Sequence, residues 1–250
     1  MNFEIRKCKL EEILHLRSQF LQENDFQIRY NACHERHWSD SYLISLDNQG
    51  VGYGSVKGKE ELTDRDSIFE FYLHAHLRKN ASALFEKLIS DSGAKFLECQ
   101  TNDFFLTSLV FEFSQKIYSD TILFEDYIAT GFKISDIEFR KRKDNEVTFP
   151  HRFDGEPGDY VLIRNGIAVA TGGFLLHYNI PYADLYMEVN PEFKNQGFGS
   201  YMLQEVKKEC YLAGRVPAAR CNIKNKISRS TLIKAGMKVC GFMLIGDLDT

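Results

Sequence analysis

Four segments in the first half of this chain return in the same order about 115 residues later, and that repeat restricts the folds open to it. Ser41–Val56 reads as a strand, a turn at Asp47-Asn-Gln-Gly50 and a second strand, and Asp159–Ala170 has the same layout. The strand-like Ser67–Leu73 is answered by Ala183–Val189, and the helical Ala81–Ser92, which ends at Gly93, by Ser200–Ala213. Gly93–Gln100 is answered by Gly214–Asn222, each with a cysteine near its end. Each half therefore runs hairpin, strand, helix, strand, helix, strand. The period is too long for a solenoid unit and suits two similar domains, placed at 1–131 and 132–250. A helix between two strands implies a right-handed crossover, so the expected fold class is α/β, with an α+β mixed sheet in each domain.

The rest of the chain fits around these segments. Leu10, Ile13, Leu14, Leu16, Phe20 and Leu21 recur at spacings of three and four, which predicts a helix over 8–23, with a weaker one over 31–38. Phe96–Gln100 reads as a strand, Phe104–Phe113 as a helix and Tyr118–Ile128 as closing strands. Asp154-Gly-Glu-Pro-Gly-Asp159 is turn-rich. Hydrophobic residues at 44% and charged residues at 26% argue against disordered, fibrous and membrane classes. A net charge of −4 argues, weakly, against nucleic-acid binding. The basic run Arg140-Lys-Arg-Lys143 is followed by Asp144 and Glu146 and reads as a solvated linker. No stretch reaches the ~20 apolar residues of a membrane span, and the N-terminus lacks a signal-like apolar segment, so a cytoplasmic protein is expected. Its six scattered cysteines, without Cys-x-x-Cys spacing, fit reduced thiols.

One stretch carries chemistry: Glu188-Val-Asn-Pro-Glu-Phe-Lys-Asn-Gln-Gly-Phe-Gly-Ser200, in which an alternating run (Leu185, Met187, Val189) leads through Gly-x-Gly into a helix. Backbone N–H groups at such a helix start converge on one spot and attract a phosphate. The matching segment of the first half, His74-Ala-His-Leu-Arg-Lys-Asn-Ala-Ser-Ala83, has no glycine. Its backbone is less free to approach a diphosphate, so the first half is expected to have the fold without this site.

Tyr186–Leu203 resembles the acetyl-CoA motif of the GNAT N-acetyltransferase superfamily, Arg/Gln-x-x-Gly-x-Gly/Ala after a strand ending in Val-x-Pro. Asn225-Lys-Ile-Ser-Arg-Ser-Thr-Leu-Ile-Lys-Ala-Gly-Met237 is similar to the family's second motif, in which Asn opens a helix. Two motifs in order are specific where a lone Gly-x-Gly is not. The resemblance implies two GNAT-like domains in tandem, the first a degenerate copy, and acetyl-CoA as co-substrate without a metal. The N–H groups of Asn195, Gln196, Gly197, Phe198, Gly199 and Ser200 would hold the diphosphate, with Lys194 where the family has Arg or Gln. Met187 and Val189 would offer strand backbone to the pantetheine arm, and Asn225 and Ser228 would line the other wall. The implied reaction is acetyl transfer to a primary amine of a small molecule or protein, without nucleic acid or membrane as partner.

An ammonium must lose a proton before it attacks. Glu188 is the first candidate base and Asp184, two side-chain steps back on the same face, the second. Where many members of the family carry a tyrosine that protonates the leaving thiolate, this chain has Leu232. Tyr186, Tyr201 or a water could substitute, or the chain could bind acyl-CoA without turning it over. Other constellations read as structure. His34 and His37 are three apart, the wrong spacing for a zinc-protease helix, and His74 and His76 lack a third ligand. Trp38 and the Phe104–Phe113 aromatics read as core and Cys221 as a buried thiol, and Asn225 also suits a helix cap.

Overall fold

The computed structural model describes residues 2–24, 30–150 and 158–248. The chain forms two compact units, Met1–Thr121 with Gly241–Thr250, and Ile122–Cys240. The first takes its last ten residues from the C-terminus, a feature that a contiguous split at 131/132 does not contain. The helix-between-strands pattern does give mixed sheets, as the α/β expectation requires.

Unit 1 contains β1 (Phe3–Cys8), α1 (Leu10–Glu23), α2 (Tyr30–Glu35), β2 (Ser39–Leu46), β3 (Gln49–Lys57), β4 (Ser67–Leu73), α3 (Ala81–Ser92), β5 (Phe96–Gln100) and α4 (Phe104–Phe113). It also holds the first part of β6 (Ser114–Asp126) and the last part of β12 (Met237–Leu248). Its sheet order is β1-β2-β3-β4-β5-β12-β6. The β2–β3 hairpin turns at Asp47 and Asn48, both at positive φ (50° and 68°), a geometry that matches the twist of the strands. Gly93, at φ 68°, ends α3 in the left-handed cap expected of glycine. The apolar stripe of α1 buries Ile13, Leu16 and Phe20 against Tyr53 and Tyr72. Each such side chain contributes about 1.5–3 kcal/mol.

Every residue of β4 is buried, Glu70 included. A carboxylate there is tolerable only with full compensation. Arg17 Nε and Nη2 reach it at 3.1 Å, His34 Nε2 at 3.0 Å, and Tyr53 donates its hydroxyl at 2.9 Å. Burial pushes the Glu70 carboxyl up, but Arg17 and His34 outweigh burial and hold it down at about 2.

Unit 2 contains β7 (Ile137–Lys141), β8 (Tyr160–Arg164), β9 (Ile167–Leu175), β10 (Tyr182–Val189), α5 (Phe198–Leu212), β11 (Val216–Asn222) and α6 (Lys226–Lys234), with the remaining parts of β6 and β12. Its sheet order is β7-β8-β9-β10-β11-β6-β12. Among the described residues it has no counterpart of α1 or α2, so α5 and α6 cover one face of its sheet only.

Two strands, β1 and β7, form over residues without a strand-like pattern. Arg140 and Lys141 belong to β7 rather than to a solvated linker, with Arg140 held by Glu146 at 2.6 Å. Charges on a terminal strand such as β7 are a usual way to keep an edge soluble. The closing strands expected over 118–128 are the single 13-residue β6. Phe104 and Phe111 on α4 face outward, while Leu106, Leu109 and Val110 enter the core. Of the turn-rich Asp154–Asp159, only Gly158 and Asp159 lie among the described residues.

Candidate functional site

The two parallel strand pairs share one peculiarity. β10 and β11 are hydrogen-bonded only from Tyr182↔Val216 to Asp184↔Ala218, and part beyond it. β4 and β5 pair only at Ser67↔Phe96 and Ile68↔Leu97. Each unit therefore has a wedge-shaped gap between two strands, opening towards their C-terminal ends.

In unit 2 the open end of the gap meets the start of α5. Asn190, after β10, accepts the Glu192 N–H at 3.2 Å and donates to the Ala168 carbonyl at 3.1 Å, which pins the loop to β9. Asn195 and Gly197 then both take left-handed backbone, at φ 61° and 87°. That geometry aims neighbouring N–H groups to one side. The first bond of the helix runs from Tyr201 N–H to the Gly197 carbonyl at 3.1 Å, so the N–H groups of Gly197, Phe198, Gly199 and Ser200 precede it. Lys194, Asn195 and Gln196 are exposed beside them, and Phe198 is buried as the anchor. The donor set fits a diphosphate.

The two glycines serve different needs. Gly197 is required by its φ, because a Cβ there would meet no neighbour within 4 Å. Gly199 is required by closeness: a Cβ would lie 3.1 Å from Thr231 Cγ2 and 3.2 Å from Met187 Cε. The start of α5 is thus wedged between β10 and α6, and Ser200 donates its hydroxyl to the Thr231 carbonyl at 3.3 Å. This joins the two sequence motifs. Asn225 caps α6 by accepting the Ser228 N–H at 3.0 Å, and Ser228 lies one turn from Thr231 on the same side of α6. Leu232 is buried in the core.

Met187 faces α5, so Asp184, Tyr186 and Glu188 project from the opposite face of β10. There Tyr186 lies over Gly173, half-buried, its hydroxyl pushed up by burial and then by Asp159. Glu188 is half-buried opposite Thr171, and Val189 closes the strand opposite Ala170. The two candidate carboxylates do not converge, since four residues of strand separate them by about 13 Å. Asp184 has partners that the sequence did not reveal. His177 Nε2, from the β9–β10 loop, lies 3.1 Å from Asp184 Oδ2, and Arg220 Nε lies 3.8 Å from the same oxygen.

The corresponding segment of unit 1 is built differently. Ala75–Asn80 winds into a 3₁₀ turn, with Leu77 N–H bonded to the His74 carbonyl at 2.9 Å and Ala81 N–H to the Arg78 carbonyl. No residue in it has positive φ. Arg78 folds back, donating to the Leu73 carbonyl at 3.1 Å, pairing with Glu23 and lying 4.7 Å from the centre of the Phe105 ring. Beside it is a cleft of about 210 Å³ lined by Phe20, Glu23, Tyr72, Arg78, Asp103 and Phe105. Burial pushes Asp103 up to about 6, although its carboxylate caps α4 by accepting the Leu106 N–H at 2.9 Å. All six cysteines are free thiols, four of them buried. No helix among the described residues is long and apolar enough to cross a membrane.

A parallel strand pair thus splays beside a helix start whose N–H groups are left over. Residues 9–127 match the family model of the acetyltransferase (GNAT) domain. That match covers just under half of the chain, and over its whole length the chain shares the fold of solved GNAT proteins. An acetyltransferase of the GNAT family from Colwellia psychrerythraea superposes with a TM-score of 0.79 at 14% identity, covering 98% of this chain and 100% of that one. A tandem GNAT protein from the clavulanic acid biosynthesis pathway, solved without AcCoA, has a TM-score of 0.63 at 8% identity, covering 100% and 99%. A GCN5-related N-acetyltransferase from Sphaerobacter thermophilus has a TM-score of 0.59 at 14% identity, covering 97% and 94%. At these identities the likeness concerns the fold. No curated protein matches the chain. The family match falls on unit 1, whereas the glycine cradle lies in unit 2.

Proposed function

We propose that the protein is a cytoplasmic N-acetyltransferase that moves the acetyl group of acetyl-CoA to a primary amine of a small molecule or a protein, with unit 2 binding the coenzyme. The observation that carries this reading is the cradle of Asn195–Ser200 at the mouth of a strand gap, braced by Thr231 of the second motif. Its N–H groups hold the diphosphate, with Lys194 adding positive charge. The edges of β10 at Met187 and Val189 offer backbone groups to the pantetheine arm, and Asn225 and Ser228 flank it from α6. A backbone N–H directed at the thioester carbonyl is worth about 3–4 kcal/mol to the barrier. Glu188, on the face opposite α5, draws an ammonium to the gap.

Incubation with acetyl-CoA and a panel of amines, following thiol release, tests the reading. Amine-dependent release is expected. A second reading, binding of acyl-CoA without turnover, is favoured by one observation: Leu232 lies in the core where a thiolate-protonating tyrosine would stand. Coenzyme-dependent thermal stabilisation without thiol release on any amine selects that reading.

A further inference from the structure

We propose that His177 is the proton acceptor for the amine and that Asp184 is its positioning residue; this rests on the reading of unit 2 as the acetyl-transfer site. Three observations lead there. First, the gap between β10 and β11 ends at Asp184↔Ala218, the last bonded pair. Between its phosphate oxygen and its sulfur, coenzyme A has the bond count of about four extended residues, ~14 Å. The edge of β10 from Val189 to Leu185 is also four residues, about 13 Å. A thioester bound through the Gly197–Ser200 cradle therefore reaches the closed end of the gap, beside Asp184, and not its mouth beside Glu188.

Second, α5 and α6 both cover the same face of the gap. Met202 of α5 meets Gly172, and Ser200 of α5 bonds the Thr231 carbonyl of α6, so both helices lie on the face of Met187. The acceptor must approach from the other face, on which Asp184 and Arg220 project. Third, the Asp184 carboxylate is already committed: it accepts Nε2–H of His177 at 3.1 Å and lies 3.8 Å from Arg220 Nε. With the proton on Nε2, Nδ1 of His177 carries the lone pair. The ring retains a small exposure, 15%, so a solvent-borne group can reach it. A carboxylate that fixes the tautomer and balances the charge of the imidazolium is the general arrangement of an oriented histidine base.

The step balances. The ammonium nitrogen loses two protons in all, one through Nδ1 of His177 to water and one to the departing sulfur. The C–N bond forms as the C–S bond breaks, and sulfur keeps the electron pair of the broken bond. Asp184 exchanges no proton in the step.

The test uses the full chain, acetyl-CoA and n-butylamine as a generic acceptor. H177A should lower kcat about 100-fold or more while leaving the KM for acetyl-CoA and the CoA-dependent thermal stabilisation unchanged, and added imidazole should restore turnover. In the free protein, side-chain ¹⁵N spectra should show His177 as the Nε2–H tautomer, and D184N should abolish that preference. E188Q should raise the KM for the amine and keep kcat. The proposal is overturned if H177A keeps kcat, if E188Q loses it instead, if imidazole gives no rescue, or if the wild type releases no thiol. Absence of stabilisation by CoA in the wild type would sink the coenzyme reading itself.

Discussion

Replacing Gly197 by Asn and by Asp separates the two properties that the cradle needs, its backbone shape and its positive potential. Both residues tolerate left-handed backbone better than other side chains, and a Cβ at this position meets nothing within 4 Å. Each variant should therefore fold, at a strain cost of about 1 kcal/mol. Without ligand, G197D should be the more stable of the two by about 0.3–1 kcal/mol, because its charge sits at the N-terminus of α5. With ligand the order reverses. At a CoA concentration 100 times Kd the wild type gains about 2.7 kcal/mol. For a chain of this size that raises Tm by about 5–10 °C. A carboxylate about 4 Å from a phosphate repels it by about 4 kcal/mol at an effective dielectric constant of 20. That raises Kd more than 100-fold and leaves under about 0.5 kcal/mol of stabilisation. Thermal denaturation with and without CoA should then show a shift retained in G197N and absent in G197D. An undiminished shift in G197D refutes the cradle, and equal loss in both variants shows that loop shape, not ligand charge, decides.

G199A should cost about 1–3 kcal/mol through contact with Thr231 and Met187, and T231S, which removes the methyl 3.1 Å away, should recover part of it in a double-mutant cycle. Glu70 has a depressed folded-state pKa, so its contribution is present above the unfolded value and is lost as pH falls towards 2; the shift from 4.5 is worth about 3 kcal/mol, and denaturant titrations of E70Q should show no such acid loss. Asp103 has the opposite sign: raised from 3.8 to about 6, its contribution is full below pH 3.8 and is lost as pH rises through 6, a difference of about 3 kcal/mol. D103N, in which Asn still caps α4, should therefore gain up to that amount at pH 7 over the wild type and nothing below pH 4, and a variant less stable at both pH values would contradict the burial argument.

What the sequence disclosed was whatever obeys a local rule. The turns at Asp47-Asn48 and Asn165-Gly166 adopt positive φ, α3 stops at Gly93, and α5 starts within the glycine loop, because backbone conformation there is set by two or three adjacent residues. β7 was hidden because its charged residues mimic a linker, and β1 because a short strand ahead of a helix carries too few residues to show a period. The membership of residues 241–250 in unit 1 leaves no local trace at all, since Met243 pairs with Gln100 across 142 intervening residues. At the site, the Gly-x-Gly stretch was legible as a cradle and Asn225 as a cap. The commitment of Asp184 to His177 was not, because a bond between a loop side chain and a strand side chain has no periodicity. Thr231 was equally silent, although it is the residue that makes Gly199 necessary.

The family match over 9–127 and the cradle in unit 2 lead to opposite expectations about how many coenzymes one chain holds, and the backbone of unit 1 decides between them. A family match over a whole domain registers the order of core positions, and unit 1 keeps these: β4 is buried along its length and parts from β5 after two pairs. An anion site needs donors that are left over. In unit 1 the 3₁₀ turn has used them, with Leu77 and Ala81 N–H bonded within the turn, and the arginine that could have supplemented them is tied to Glu23 and the Leu73 carbonyl. The remaining cleft, about 210 Å³, carries Glu23 and Asp103 on its walls and is smaller than the ~300–1,000 Å³ of ordinary ligand pockets. Calorimetric titration with CoA should give one site per chain in the wild type and none in G197D. Two sites per chain, or a single site that survives G197D, would move the coenzyme to unit 1 and show that a turn with its N–H groups already bonded can still rearrange into a cradle.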